Sequence, residues 1–415
     1  MIEFERFVLE NGLRVLFHYD PTTPMAVVNT LYDVGAKDEH PDRTGFAHLF
    51  EHLMFGGSVN IPDFDMPLQL AGGQSNAFTS NDITNYYNIL PAENLETALW
   101  LESDRMLSLA FSEKSLEVQR NVVIEEFKQR YLNQPYGDTW LEFRPLAYEK
   151  HPYQWATIGK SLAHIETATM DEVKAFFSKH YSPQNAILCI AGNFQFDEIQ
   201  ELVKKWYGNI PAGNKYLRNL PQEPEQQVYK EKIIERDVPN NMFYYGFKMP
   251  GKHVDGYYTC DLLSDILGRG KSSRLYKMLK KELNLVTDVS AFVLGSHDTG
   301  LLVLSGQLTD DATFEQVDEV IWQLLADLTS EKIAPTEVEK NINKFKTTKV
   351  FSELGVLSKA MALCEHELFG NANGVNEELE KYEEITAEGL LTTAQHIFRK
   401  TNCSRFLIKS ATDVK

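Results

Sequence analysis

Residues 45–57, GFAHLFEHLMFGG, constrain this chain more than any other stretch. Phe46, Ala47, Leu49, Phe50, Leu53, Met54 and Phe55 would cover nearly the whole surface of a helix, which therefore belongs in a core. The same helix carries His48, Glu51 and His52, three groups that are costly to bury alone. His48 and His52 are spaced i, i+4 and project from one face, one turn apart. Two imidazoles so placed can ligate one zinc ion through nitrogen. Glu51 sits near that face and can take the proton of a water on such a metal. A dication would offset the desolvation of Glu51 and give both imidazoles a partner.

The rest of the chain has to supply the core around that helix. At 415 residues it is too long for one ordinary core, and two domains are expected. No apolar run is long enough to span a bilayer. The opening MIEFERFVLENG lacks the basic and apolar regions of a signal peptide, so the expected location is cytoplasmic, or periplasmic if a leader had been removed. The net charge of −18 argues against nucleic acid and against an anionic membrane surface. Cys189, Cys260, Cys364 and Cys403 are far apart and form no CxxC, so free buried thiols are expected.

Element patterns appear twice in similar order. FVLENGLRVLFHY predicts a hairpin around Asn11-Gly12, and MAVVNTLYDVG predicts a strand ahead of the motif helix. SNAFTSNDITNYYNIL predicts two strands, and 92–109 and 112–131 read as helices. A strand at 185–192 and a helix at 197–208 follow. Residues 208–227, rich in Pro, Gly, Asn and Gln, read as a linker. Strand and helix patterns then restart. HLFEHLMFGGS (48–58) and DLLSDILGRGKSS (261–273) share an apolar skeleton: Leu49 with Leu262, Phe50 with Leu263, Leu53 with Ile266. The polar triplet becomes Asp261, Ser264 and Asp265, which reads as a duplication whose second copy lost the chemistry.

Zinc needs a third protein ligand and an open fourth position. The candidates lie in QRNVVIEEF, on the helix predicted at 112–131. Glu125 and Glu126 are adjacent there, and spacing alone does not choose between them.

H-x-x-E-H is the inverted zinc-peptidase order. With R-x-V-V-x-x-E some seventy residues on, the chain resembles the pitrilysin/insulinase family, particularly its half-length, processing-peptidase-like members. LENGLRVL, TGFAHLFEHLMFGGS, GGQSNAFTSNDITNYY, QRNVVIEEF, HPYQWATIGK and FFSKHYSPQNAILCIAGNF carry the resemblance across most of the first half. GKSSRLYKML and LCEHELFG extend it more loosely into the second. The resemblance implies an α+β fold of two similar domains, each a mostly antiparallel sheet packed with helices, together forming half of a clamshell. The expected boundaries are 1–212 for the zinc-bearing domain, 213–228 for the linker and 229–415 for the degenerate copy.

The resemblance also implies roles. Glu126 becomes the third ligand of one Zn²⁺ per chain, beside His48 and His52, with Glu51 as general base of a metalloendopeptidase. Asn76 and Ala77 lie on a strand that pairs with substrate backbone, which gives affinity without sequence preference. The alternative is a non-catalytic scaffold subunit of the same fold, which has no need of all four zinc-site residues. Two positions depart from the family pattern. Gln119 stands where a second Glu usually lies, seven residues before the ligand Glu. Lys280 and Thr287 stand where active members carry an Arg and a Tyr that grip the substrate carbonyl. The implied partners are therefore a peptide substrate and a second subunit. That subunit is either another copy, with Lys280 or Arg274 doing the gripping, or a homologue that kept the Arg/Tyr pair.

Overall fold

The computed structural model describes residues 1–295 and 297–411. Among the described residues eleven strands form two sheets. The first sheet contains β1 (Glu5–Val8), β2 (Arg14–Tyr19), β3 (Met25–Tyr32), β4 (Gln74–Thr79), β5 (Thr84–Pro91) and β6 (Ala186–Gly192), in the order β1-β2-β6-β3-β5-β4. The second contains β7 (Lys230–Arg236), β8 (Met242–Met249), β9 (Val286–Leu294), β10 (Gly300–Leu308) and β11 (Cys403–Ser410), in the order β7-β11-β8-β10-β9.

Leaving β1 aside, the two sheets are wired identically. β2 runs parallel to β6 as β7 does to β11, and every other neighbouring pair is antiparallel. In each half a helix follows the second strand of that series in chain order, β3 or β8, after a glycine in the left-handed region: Gly45 at φ 89° before Phe46–Leu53, and Gly256 at φ 91° before Tyr257–Gly268. Leu49, Phe50 and Leu53 are buried in one helix, Leu262, Leu263 and Ile266 in the other. The duplication read from the apolar skeleton thus extends to strand order and pairing sense. In the second copy Asp261 accepts from the Tyr382 hydroxyl at 2.5 Å, and Asp265 pairs with Arg269 at 3.1 Å. Those carboxylates are satisfied locally and converge on no common point.

The chain does not divide into the contiguous halves expected from its texture. One compact unit comprises Met1–Lys128, Trp155–Leu220 and Lys349–Glu377; the other comprises Gln129–Gln154, Pro221–Thr348 and Glu378–Lys415. Apolar packing accounts for both departures from the 1–212 and 229–415 boundaries. Helix Val356–Leu368 buries Ala360, Leu363 and Cys364 against Leu16, Val27, Leu31, Ile187 and Cys189 of the first sheet. Helix Thr139–Ala147 buries Phe143 and Ala147 among Tyr244, Val303 and Phe406 of the second. Each large buried side chain is worth about 1.5–3 kcal/mol, so these helices stay with the sheet that covers them. All four cysteines are free and buried.

A polar network is sealed inside the first unit. Glu102 and Arg105, each 1% exposed, form an ion pair on helix Leu95–Leu107. Glu102 also accepts from Thr30 and Asn88. The Arg105 guanidinium lies 4.5 Å from the ring centroids of both Phe64 and Tyr86. Tyr86 and Tyr181 share a hydroxyl contact of 3.2 Å, and Tyr181 stacks on Phe50 of the motif helix at 5.0 Å. A buried charge pair, with the Glu102 carboxylate hydrogen-bonded and Arg105 Nη1 left to the ring faces, thus underlies the aromatic bed on which that helix rests.

Candidate metal centre

The helix Phe46–Leu53 forms where the sequence places it, and its apolar side chains have identifiable partners. Phe46 and Phe50 meet Phe176 of helix Met170–His180 at ring distances of 6.2 and 5.0 Å. His48 and His52 take the remaining face, their rings edge to face at 4.8 Å.

Opposite them runs helix Glu113–Phe127, whose N-terminus is capped by Ser112 Oγ accepting from the Ser115 amide. It buries Leu116, Val123 and Phe127 and turns Glu126 toward the imidazoles. Glu126 Oε2 lies 3.6 Å from His48 Nε2 and 3.4 Å from His52 Nε2. The neighbouring Glu125 is 60% exposed and pairs with Lys128 at 2.7 Å. Packing distinguishes the two where spacing does not: Glu126 faces the two imidazoles and Glu125 points to solvent.

One ligand atom from each of His48, His52 and Glu126 falls within 4.8 Å of the others, and no other such group of three occurs among the described residues. Atoms bound at about 2.0–2.1 Å to a tetrahedral ion stand roughly 3.3–3.4 Å apart. The two His–Glu separations match that edge closely. The side chains are 13%, 23% and 17% exposed, so the cluster is shielded yet reachable. Two neutral nitrogens and one carboxylate suit zinc.

Glu51 Oε2 accepts from Thr79 Oγ1 at 2.6 Å, and its carboxyl interacts electrostatically with His52 and Glu126. Partial burial pushes the Glu51 carboxyl above the ordinary range, against the Thr79 bond and the nearby His52, which pull it down. Thr79 ends β4, the outermost strand of the first sheet. Asn76 and Ala77 lie on that strand, Asn76 exposed and Ala77 half-buried on the same side as Thr79. The Ala77 amide donates to Asn76 Oδ1 at 2.9 Å. Gln119 is half-buried two turns before Glu126 on the same helix. Lys280 and Thr287 meet each other, the Lys280 ammonium donating to the Thr287 carbonyl across a turn in which Asn284 takes φ 50°.

Two residues outside the sequence reading also shape the site. Thr79 carries no signal of its own beyond its place two residues after Ala77. Glu39, six residues before Gly45, accepts from the amides of Gly45 and Ala47 at the start of the motif helix.

Residues 14–140 match the model of the insulinase family (peptidase family M16), and residues 167–345 match that of the peptidase M16 inactive domain. All three clustered residues and Glu51 fall in the first match. The zinc protease PqqE of Helicobacter pylori is 30% identical over 414 residues, 98% of this chain and 92% of its own. The chain belongs to the insulinase family. A crystal structure of a protease from Helicobacter pylori superposes with a TM-score of 0.91 at 28% identity, covering 99% of this chain and 100% of that one. The periplasmic protease PqqL of Escherichia coli shares the fold at a TM-score of 0.83 and 17% identity, and all of this insulinase-family chain matches 48% of it. Among the described residues no helix is long and apolar enough to cross a membrane.

Proposed function

We propose that the chain is a zinc metalloendopeptidase that hydrolyses peptides or unfolded segments. The observation that carries this is the convergence of His48, His52 and Glu126 within tetrahedral reach of one another, with Glu51 alongside. The donor set fits one zinc per chain, and relatives named as zinc proteases support it.

When bound, zinc would polarise the scissile carbonyl and make a water acidic enough to attack near neutral pH. The chain's own residues do the rest. Glu51 accepts the proton of the attacking water and returns it to the leaving amine. Thr79 holds the Glu51 carboxylate in one orientation. The free edge of β4 pairs with substrate backbone through Asn76 and Ala77, and extends the peptide toward Glu51. The Asn76 side chain on the Ala77 amide must swing aside for that pairing. Gln119 supports the site without adding charge.

A scaffold role is less well supported, because the inactive-domain match begins beyond Glu126. The carbonyl-gripping positions argue for a second subunit: the Lys280 ammonium is engaged with the Thr287 carbonyl. We assign that role to a homologous chain that carries Arg and Tyr. Zinc analysis together with peptide cleavage by the purified chain tests the proposal. Zinc bound in proportion to chain, with cleavage lost on chelation and restored by zinc, is expected. A chain that binds no zinc overturns it.

A further inference from the structure

The motif helix has only eight residues, Phe46–Leu53, and lacks both of the usual ways of steadying its start. Its N-cap is Gly45, which offers no side chain, and its first turn carries no acidic residue. Gly45 itself cannot be exchanged for a capping side chain. It sits at φ 89°, and a Cβ there would stand 2.6 Å from the Ile158 carbonyl oxygen. The capping groups come instead from Glu39, buried at 6% exposure. One carboxylate oxygen accepts from the Gly45 amide at 2.9 Å and the other from the Ala47 amide at 2.8 Å. Ala47 immediately precedes the ligand His48.

Glu39 is itself held. Arg218 binds Asp33 at 2.8 Å and Asp38 at 2.7 Å, Lys37 binds Asp82 at 2.7 Å, and the Trp155 indole donates to the Ala36 carbonyl at 2.9 Å. The segment between β3 and the motif helix is therefore a braced arm with a carboxylate at its tip. The second half of the chain supplies an internal comparison. There the segment between β8 and helix Tyr257–Gly268 is shorter, and the helix again starts at a left-handed glycine with no side-chain cap and no first-turn acid. Residues 250–255 of that segment end in Asp255, which is exposed, and place no buried carboxylate behind the helix. The half that kept His48, Glu51 and His52 also kept the braced carboxylate; the half that lost the triplet lacks it.

We propose that Glu39 is a positioning residue for the metal centre: by holding the Gly45 and Ala47 amides it fixes the first turn of the motif helix, and with it the backbone that presents His48 to the metal. This rests on the zinc reading above. Supporting groups around metal ligands typically set affinity by about 10–100-fold, without touching the ion.

The test compares Glu39→Gln, Glu39→Asp and Glu367→Gln in the full chain. Glu367 is a buried carboxylate of the same unit, paired with Arg6 at 2.8 Å and away from the motif helix. Zinc affinity is measured by chelator competition, and the melting temperature of the metal-free protein is measured alongside. Glu39→Gln should weaken zinc binding by about 10–100-fold. Glu39→Asp keeps the carboxyl group with a shorter reach; it should weaken binding in the same direction by less, and serves if the Gln variant does not fold. Glu367→Gln should lower the metal-free melting temperature and leave zinc affinity unchanged. Unchanged affinity in the Glu39 variants, or equal losses in Glu367→Gln, overturns the positioning role while the zinc reading stands. No zinc binding by the unsubstituted chain overturns both.

Discussion

Thr79 Oγ1 donates to Glu51 Oε2 at 2.6 Å, so the outer strand that would receive substrate also orients the carboxylate proposed as general base. A hydrogen bond to a charged group is worth about 1.5–3 kcal/mol. Thr79→Val should therefore lower kcat by roughly tenfold to a hundredfold, with zinc content unchanged. A Thr79→Val enzyme with normal kcat would mean that Glu51 is positioned by other contacts.

The choice between adjacent glutamates gives a sharper contrast. Glu126→Gln should cripple zinc binding, since it removes a charged ligand atom from the cluster. Glu125→Gln should leave zinc binding intact and cost no more than a few tenths of a kcal/mol in stability, because its pairing with Lys128 is at the surface. Metal analysis of the two purified variants decides the matter, and the reverse result would move the ligand to Glu125.

How far the sequence reached is clearest at these positions. The i, i+4 spacing of His48 and His52 was sufficient to predict a shared face, because helical geometry is local. Facing between two helices is not local, and the segment QRNVVIEEF left Glu125 and Glu126 equivalent until packing oriented them. The hairpin at Asn11-Gly12 and strands β3 to β6 were legible from alternation and turn residues. Strand β11, inserted between β7 and β8, was not, since its partners lie far back in the chain. The texture break at 208–227 suggested contiguous halves. It could not reveal that helices Thr139–Ala147 and Val356–Leu368 pack on the sheet of the opposite half. Glu39 and Thr79 were missed for the same reason: each acts through a contact that no spacing rule encodes.

His180 gives the fold an acid-sensitive point. It is fully buried between Phe176 and Tyr216, and burial, followed by the nearby Lys179 and Arg218, lowers its pKa to about 3. The unfolded chain takes up that proton near pH 6.5, whereas the folded chain resists until about 3. The unfolded state thus binds more protons in that window, and stability falls as pH falls through it, by up to about 1.4 kcal/mol per pH unit. Denaturant melts of His180→Phe between pH 6.5 and 4 should show a shallower pH dependence than the unsubstituted chain. Identical slopes would remove His180 from the account.

Assembly has its own test. The isolated chain should bind zinc and peptide but cleave slowly, if Lys280 and Thr287 stand, as the resemblance implies, in place of the Arg/Tyr pair. Adding a homologous subunit that carries both residues should raise the rate by about a hundredfold to a thousandfold, the usual worth of one transition-state contact. Brisk cleavage by the chain alone, unimproved by such a subunit, would favour a homodimer.

The central claim is that Glu51 acts on water beside a metal held by three other side chains. Its most direct test is Glu51→Gln, assayed for zinc content and for peptide cleavage in the same preparation. The substitution keeps shape but removes the base, and the metal ligands are untouched. Zinc should remain at about one per chain, as three protein ligands require, while cleavage falls by several orders of magnitude. A Glu51→Gln protein that retains zinc and cleaves at the unsubstituted rate would contradict the account.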